Sequence, residues 1–194
     1  MAIQLIAGLG NPGREYEETR HNAGAWLVEE LARQSGVALS GESRFNARTA
    51  KIRLGGSDIR LLIPSVYMNL SGQAVGTIIN FFKIPLDEVL IVHDELDIEP
   101  GIARLKTGGG IGGHNGLRDI VKALGNQKDF HRLRIGIGHP GHASKVSGYV
   151  LNKPSPDDRE RIMAAIDESL RVLPDVISGD MSKAMNRLHT FKES

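Results

Sequence analysis

The chain has 194 residues, 40% of them hydrophobic, and its 24 lysines and arginines against 23 acids leave a formal net charge of +1. This length and apolar content are enough for one full core, so we expect a single domain over residues 1–194. No stretch approaches the roughly 20 apolar residues of a membrane span, no cysteine is present for a disulfide or a thiolate site, and no secretory signal pattern opens the chain, so we expect a protein of the cell interior.

The first half of the chain alternates strand and helix patterns. Continuous apolar residues predict a buried strand, apolar residues at helical spacing predict helices, and two strand-like runs around a glycine pair predict a hairpin. The predicted elements are a strand over 3–9, a helix over 22–34, hairpin strands over 46–54 and 58–63 around Gly55-Gly56-Ser57, and an apolar helix that follows the polar loop 64–72 and ends at Phe82.

The second half continues this alternation. The apolar run 89–92 predicts a central strand covered on both faces, ending at His93-Asp94-Glu95. The connection from it to a strand over 102–106 is too short for a helical crossover, which favours an antiparallel orientation. The chain then has a glycine loop over 108–113, a helix over 115–124, a strand over 132–138 and a helical tail begun by Ser155 and Pro156. Mixed strands and helices without internal repeats predict one α/β layered domain.

Gly8, Gly10 and Gly13 fit the dinucleotide-binding pattern G-x-G-x-x-G at the end of the first strand. Two further triplets, at 108, 110 and 113 and at 136, 138 and 141, fit it equally well in a chain with 23 glycines, so the pattern alone has little weight. Pro12 cannot donate a backbone N–H to a pyrophosphate, and the helix begins only near Asn22. The sequence therefore disfavours a dinucleotide site.

Polar residues follow several predicted strands at the carboxyl ends, which is where open α/β sheets bind ligands. Asn11 follows the first strand, Met68-Asn69 follows the hairpin, and His139 follows the late strand. The topology is therefore expected to bring five residues towards one crevice: Asn11, His21, Asn69, Asp94 and Asn115.

Two His-Asn pairs in glycine-containing segments, His21-Asn22 and His114-Asn115, favour an active site. The chain has neither cysteine nor a G-x-S-x-G motif, so covalent catalysis is poorly supported. A histidine oriented by a carboxylate and accompanied by amides suits a general base that activates water. The amides could also donate hydrogen bonds to a developing oxyanion, which indicates a reactive ester or another activated acyl group as the target.

Other interpretations of these residues stay open. Asparagines such as Asn11, Asn69 and Asn115 are also typical turn or cap residues. A metal site could use His21, Asp94, His114 and His139, although no H-E-x-x-H or H-x-H spacing supports it. The remaining histidines lack such neighbours and are expected to be packing or surface residues: His93, His131, His142 and His189.

The segment from Arg104 to Arg134 is basic although the whole chain is nearly neutral. It contains seven lysines and arginines (Arg104, Lys106, Arg118, Lys122, Lys128, Arg132 and Arg134) and two acids (Asp119 and Asp129). Such a segment is often only a solvated face. Because it encloses the second His-Asn pair, it favours a ligand that carries phosphate.

Four motifs stand in order along the chain: Gly8-Leu-Gly-Asn-Pro-Gly13 with Tyr16 and Thr19-Arg-His-Asn22, Met68-Asn-Leu-Ser-Gly72, His93-Asp-Glu-Leu-Asp97, and Gly108-Gly-Gly-Ile-Gly-Gly-His-Asn-Gly-Leu117. Together they closely resemble the bacterial peptidyl-tRNA hydrolase family. The resemblance extends along nearly the whole chain and includes Phe130-His-Arg-Leu-Arg-Ile-Gly-Ile-Gly-His-Pro-Gly141.

The resemblance implies an α/β domain with a twisted mixed β-sheet, helices on both faces, and neither metal nor cofactor. It implies hydrolysis of the ester between a peptide and the 3′ ribose of tRNA. It also implies a cytoplasmic monomer with no membrane association and no obligate protein partner.

The resemblance further implies a role for each matching residue. His21 is the expected general base and Asp94 the residue that orients it. Asn11 and Asn69 are expected to position the peptide end, and Asn115 the water or the backbone. Tyr16, Tyr67 and Met68 are expected to line the crevice, with His114 at its gate, and Lys106 and Arg134 to hold the tRNA 5′-phosphate.

The chain departs from the family in two places. Tyr67 stands where phenylalanine is frequent, and Arg104 where lysine is common. Both differences preserve an aromatic ring or a cation, so they affect fine contacts rather than the expected activity. A catalytically silent RNA-binding module is the alternative, and the intact His21 and Asp94 pair favours the enzyme.

Overall fold

One mixed sheet organises the computed structural model, which describes residues 2–191. Its seven described strands, in chain order, are β1 (Leu5–Gly8), β2 (Ser40–Glu42), β3 (Ala47–Leu54), β4 (Ser57–Pro64), β5 (Val89–Glu95), β6 (Ala103–Thr107) and β7 (His131–Gly136). They lie in the order β2-β3-β4-β1-β5-β7-β6. The four central strands, β4, β1, β5 and β7, are mutually parallel. The pairs β2 with β3, β3 with β4, and β6 with β7 are antiparallel.

Helices cover both faces of this sheet. They are α1 (Ala23–Gln34), α2 (Ser71–Phe82), α3 (Asn115–Ala123), α4 (Val146–Val150), α5 (Pro156–Ser178) and α6 (Met181–Thr190). Apolar residues of α1, α5 and α6 form a core with one face of the sheet, and those of α2 and α3 form a second core with the other face. The predicted α/β fold with a mixed sheet between two helical layers is confirmed.

The strand β1 lies at the centre of the sheet, between β4 and β5. All four of its residues are buried, because helices cover both of its faces. Chain segments that leave β1, β4 and β5 therefore start from neighbouring carboxyl ends, at one edge of the sheet.

Close backbone contact explains the glycines at the end of β1. A Cβ atom on Gly8 would lie 2.3 Å from the carbonyl oxygen of Gly24, and one on Gly24 would lie 2.2 Å from that of Val92. These glycines therefore let α1 pack directly on β1 and β5. Since α1 begins only at Ala23, after a 3-10 turn over Arg20–Asn22, its N-terminus does not open on the glycine turn as a dinucleotide site requires.

Most predicted elements are present, with several differences. The predicted antiparallel strand is β6, but its neighbour is β7 rather than β5. The central strand runs on to Glu95, so His93 and Asp94 belong to β5 instead of following it. The helical tail is two helices, because Gly179 adopts a left-handed conformation after α5 and the Asp180 side chain caps α6.

Two short elements, β2 and α4, were not predicted because they have only three and five residues. None of the described helices combines the length and apolar character needed to cross a membrane. The expected domain over 1–194 includes Met1 and residues 192–194, which lie outside the described part of the chain.

Candidate functional site

A crevice of about 640 Å³ lies at the carboxyl ends of the central strands. The five residues that topology was expected to gather all line it: Asn11, His21, Asn69, Asp94 and Asn115. Its opposite wall includes Val146 and Val150 of α4, a helix that the sequence pattern did not reveal. The prediction that the strand ends converge on one crevice is confirmed.

His21 and Asp94 form the polar floor of this crevice. His21 lies in the 3-10 turn before α1, and its Nδ1 is 2.9 and 3.0 Å from the two carboxylate oxygens of Asp94. Asp94 is the penultimate residue of β5 and is 3% exposed. Because an ionised carboxylate only accepts hydrogen bonds, the network assigns the proton to Nδ1 of His21 and leaves Nε2 as the acceptor nitrogen.

A second imidazole contacts the same carboxylate. His114 Nε2 is 2.9 Å from Asp94 Oδ1, and His114 Nδ1 accepts the backbone N–H of Leu117 at 3.3 Å as the N-cap of α3. One ring nitrogen of His114 therefore contacts the carboxylate, and the other accepts a backbone N–H. The resemblance placed His114 at the gate of the crevice, whereas the structure places its side chain, 9% exposed, beside Asp94 in the floor.

These contacts shift the acid–base properties of both partners. Burial disfavours a charged Asp94, but the charges and hydrogen bonds of His21 and His114 outweigh burial and hold its pKa well below the usual range. Burial likewise disfavours a charged His21, yet the attraction and hydrogen bond of Asp94 prevail and raise the pKa of His21. The carboxylate therefore stays ionised while it orients the imidazole.

His93 belongs to the same cluster, although sequence patterns gave it no partners. Its Nδ1 donates to the backbone oxygen of Asp94 at 2.8 Å, and its ring packs edge-on against His114, with centroids 5.0 Å apart. Burial, and then the nearby His114, lower the pKa of His93 to about 3. His93 is thus a neutral packing residue that fixes the end of β5.

Asn11 is held by two other parts of the site. Its side-chain Oδ1 accepts the N–H of Met68 at 2.7 Å, which joins the segments after β1 and β4. The carboxamide of Asn22 bonds both backbone groups of Asn11, accepting its N–H at 2.8 Å and donating to its carbonyl at 2.9 Å. Asn11 therefore keeps its side-chain amide as a donor at the crevice, and Asn22 is a supporting residue that the sequence had shown only as part of a motif.

The other predicted lining residues take different positions. Asn69 and Asn115 are exposed on the crevice wall, and Asn115 accepts a 3.2 Å hydrogen bond from Arg118. The cap of α3 is His114, so the alternative that Asn115 is the cap is wrong. Met68 lines the crevice as expected.

Tyr16 and Tyr67 were expected to line the crevice, but neither residue is among those that line it in the structure. Their rings pack edge to face, with centroids 6.1 Å apart, and Tyr67 is 53% exposed. Each ring therefore covers the other rather than the crevice floor.

The donor atoms of His21, Asp94 and His114 lie within 4.8 Å of one another, a spacing that a metal ion could bridge. In the structure, however, each imidazole directs a nitrogen at hydrogen-bonding distance to Asp94. His139, the fourth ligand considered from sequence, is exposed on the wall and accepts the N–H of Gly141. The geometry is that of two imidazoles oriented by a carboxylate.

Comparison with known proteins points to one family along nearly the whole chain. The family model described as peptidyl-tRNA hydrolase matches residues 5–194. The chain belongs to the peptidyl-tRNA hydrolase family. A peptidyl-tRNA hydrolase from Chromohalobacter salexigens is 61% identical over 189 residues, 97% of either chain, and one from Shewanella halifaxensis is 58% identical over 190 residues, 98% of either chain.

The fold is shared with solved members of the peptidyl-tRNA hydrolase family. The crystal structure of the peptidyl-tRNA hydrolase from Acinetobacter baumannii superposes with a TM-score of 0.95 at 49% identity. The match covers 98% of this chain and 96% of that one.

Beside the crevice, this member of the peptidyl-tRNA hydrolase family has a smaller cavity of about 260 Å³, here called the basic cavity. Three cations, Lys106, Arg132 and Arg134, line it together with the acids Glu95 and Asp97. It shares a wall with the crevice, formed by His93, Glu95, Asp97, Ile111 and Gly112. Lys106 and Arg134 form no side-chain hydrogen bond or ion pair with any residue in the range 2–191, and the Nε atom of Arg134 is buried without a partner there. The structure therefore gathers three cations of the basic segment into one cavity that adjoins the crevice.

Proposed function

We propose that this protein hydrolyses the ester bond between a peptide, or an N-blocked aminoacyl group, and the 3′ ribose of tRNA. The contact between His21 Nδ1 and the buried carboxylate of Asp94 carries this proposal, because it leaves the other nitrogen of His21 as a base at the crevice. Membership of the peptidyl-tRNA hydrolase family supplies the substrate class.

The proposed reaction uses water as the nucleophile. His21 Nε2 takes a proton from water as its oxygen bonds to the ester carbonyl carbon, which forms a tetrahedral intermediate. The intermediate collapses by breaking the bond to the ribose 3′ oxygen, which receives the proton from the His21 imidazolium. Asp94 stabilises that imidazolium and holds the ring, so neither cofactor nor metal takes part.

Amide and imidazole groups around the crevice would position the substrate. The free side-chain N–H groups of Asn11 suit hydrogen bonding to the acyl carbonyl as its oxygen gains charge. Asn69 and Asn115 are proposed to bind the peptide backbone or the attacking water from the exposed wall. His114 is proposed to hold Asp94 in place, and Met68 to contact the acyl group. Tyr16 and Tyr67, which lie outside the cavity, are proposed to contact only the part of the peptide that extends beyond it.

The basic cavity is proposed to receive the 5′-phosphate of the tRNA, through Lys106 and Arg134. Neither cation forms an ion pair with a carboxylate among residues 2–191, and two such cations in a concave site suit a phosphate group. The wall shared with the crevice supports a substrate that extends from one cavity into the other.

A cytoplasmic location and a monomeric state complete the proposal. The location follows from the proposed substrate, tRNA released during translation. The described surface exposes only four large hydrophobic side chains, Tyr67, Leu70, Phe81 and Leu151, which are few for an obligate protein interface and so support function without such a partner. Light scattering of the purified protein checks the monomeric state.

The alternative of a catalytically silent RNA-binding module predicts tRNA binding without cleavage. The test is incubation of purified protein with N-blocked aminoacyl-tRNA and with free aminoacyl-tRNA, and quantification of released tRNA and blocked amino acid. We expect catalytic release from the blocked substrate. Tight binding of intact substrate without turnover would establish the binding module instead.

A further inference from the structure

Arg132 is a buried cation that the proposed mechanism does not use. It lies on β7, is 1% exposed, and forms no ion pair with any described residue. Its guanidinium donates to three backbone carbonyls: Nη1 to Gly110 at 2.6 Å, and Nη2 to Gly109 and Lys128, each at 3.1 Å. A buried charge is costly unless hydrogen bonds satisfy it. Both Nη groups are therefore committed to backbone carbonyls, two of them in the glycine loop 108–113, while Nε is buried without a partner among the described residues.

The glycine segment, Gly108–Gly113, needs such an anchor. Gly108, Gly109 and Gly112 all have positive φ angles, a conformation that glycine adopts freely and equally readily leaves. Gly109 also lies against the end of Lys106, because a Cβ atom there would be 2.6 Å from Lys106 Cε. The anchored backbone thus forms part of the basic cavity.

The same segment leads directly to His114. The N–H of His114 bonds the carbonyl of Ile111 within the segment, and the His114 side chain bonds Asp94. A continuous set of contacts therefore runs from Arg132 through Gly109 and Gly110 to His114, Asp94 and His21.

We propose that Arg132 is a positioning residue for catalysis, which fixes the glycine segment so that His114 keeps its hydrogen bond to Asp94. Arg132 touches neither the ester nor the attacking water. Its planar fork satisfies three carbonyls at once, a pattern that lysine, with one compact ammonium group, cannot reproduce. This inference rests on the proposed hydrolysis.

The first test compares Arg132→Lys with wild type on two substrates: N-blocked aminoacyl-tRNA, and a short N-blocked aminoacyl 3′ fragment without the 5′-phosphate. We expect kcat to fall by about 10- to 100-fold on both, because a displaced His114 loosens the His21–Asp94 pair whatever the substrate length. Lys51→Ala, which removes an exposed cation on β3 that lines neither cavity, is the control and should leave both rates unchanged.

Two outcomes would overturn the inference. A loss confined to full-length tRNA would make Arg132 a phosphate ligand, and unchanged rates would make it dispensable. Failure of wild type to cleave either substrate would instead reject the proposed function itself, so the two failures are distinguishable.

A second variant tests the segment without altering the buried cation. Gly109→Ala strains a residue with φ of +82° and should lower kcat on the short fragment as Arg132→Lys does. Gly56→Ala, at φ of +76° in the β3–β4 hairpin with no atom within 4 Å of the added Cβ, carries similar strain far from the site. It should lower stability without lowering kcat.

Hydrogen exchange gives a readout independent of activity and remains informative if a variant is poorly stable. In Arg132→Lys, amides of Gly109–Gly113 should exchange faster, while those of α5 stay protected. Equal kcat for Gly109→Ala and Gly56→Ala, or unchanged exchange in the glycine segment of Arg132→Lys, would contradict the positioning role.

Discussion

Asp94 accepts hydrogen bonds from two imidazoles, and its burial makes both contacts matter more than they would in water. The two histidines differ in whether the second ring nitrogen remains free to act as a base. His114 uses its second nitrogen to cap α3, whereas His21 has no hydrogen bond to its second nitrogen from any described residue. At the scale of the residue, this difference assigns the base to His21 and a supporting role to His114.

Replacing His21 with alanine should abolish most turnover. A general base typically contributes on the order of 10²- to 10⁴-fold to the rate. We therefore expect kcat on N-blocked aminoacyl-tRNA to fall by that factor, while tRNA affinity changes little and circular dichroism shows the fold retained. Full activity in purified His21→Ala protein would show that another group is the base.

Replacing Asp94 with asparagine should shift the pH profile as well as lower the rate. In wild type, activity should rise with pH as His21 loses its proton, with a midpoint above the ordinary histidine value of 6.5, because Asp94 raises the pKa of His21. In Asp94→Asn the attraction is gone and burial remains, so the midpoint should move to lower pH.

The plateau rate of Asp94→Asn should fall, but by less than that of His21→Ala. The measurement is kcat against pH for wild type and variant, with circular dichroism as the control for folding. A midpoint that does not move, or moves to higher pH, would show that Asp94 does not raise the pKa of His21.

Removal of metal ions by a chelator should leave the hydrolytic activity of the enzyme unchanged. His21 and His114 direct their nitrogens to Asp94, so water activation is assigned to imidazole rather than to a metal-bound water of lowered pKa. The check is kcat after exhaustive dialysis against EDTA. A loss that zinc restores would reassign the three side chains as metal ligands.

At the scale of the element, the approach of α1 to the sheet sets the position of His21. Gly24, the second residue of α1, packs against the backbone of β5 and of the segment after β1, and a Cβ atom there would lie 2.2 Å from Val92 O and 2.9 Å from Leu9 N. Backbone cannot rotate away as a flexible side chain can. The helix must therefore move if Gly24 gains a side chain, and the adjoining His21 must move with it.

Gly24→Ala should destabilise the protein by about 1–3 kcal/mol and lower kcat, since overpacking shifts backbone. Gly41→Ala is the control, because its added Cβ meets no atom within 4 Å, and it should stay within about 0.5 kcal/mol of wild type. Urea unfolding of the three proteins gives the comparison. Wild-type stability and activity in Gly24→Ala would refute the proposed close packing.

Elements with strong local signals were predictable from sequence, and contacts between elements were not. The Ser155 cap with Pro156 marked the start of α5, and the cap bond to the N–H of Asp158 is present. The five-residue α4 has no such signal, yet it forms a crevice wall. The bond between His114 and Asp94 depends on the path of the glycine segment relative to β5, which no local pattern encodes.

At the scale of the whole molecule, two cavities of different chemistry share one wall. The crevice holds the acid–base pair, and the basic cavity holds Lys106, Arg132 and Arg134. Net charge alone gave no hint of this, because acids elsewhere balance the chain at +1. The arrangement suits a substrate whose reactive ester and phosphate are separate groups of one large molecule.

Lys106→Ala and Arg134→Ala should therefore weaken the reaction on full-length tRNA and have little effect on short 3′ fragments, because both cations lie in the basic cavity and not at the crevice floor. Each charge-assisted contact to phosphate is expected to contribute about 1.5–3 kcal/mol, by analogy with other hydrogen bonds to charged groups. The difference from wild type should shrink as salt rises, since wild-type binding gains more from counterion release.

Removal of the 5′-phosphate from the tRNA isolates the contact itself. Wild type should lose kcat/KM on the dephosphorylated substrate, whereas the Lys106→Ala/Arg134→Ala double variant should respond little, because it has already lost the groups that bind this phosphate. The measurement is a cycle of two proteins and two substrates at one salt concentration, in which a shared contact appears as non-additive loss. Equal sensitivity of both proteins to phosphate removal would place the 5′-phosphate elsewhere and leave the basic cavity to another part of the tRNA.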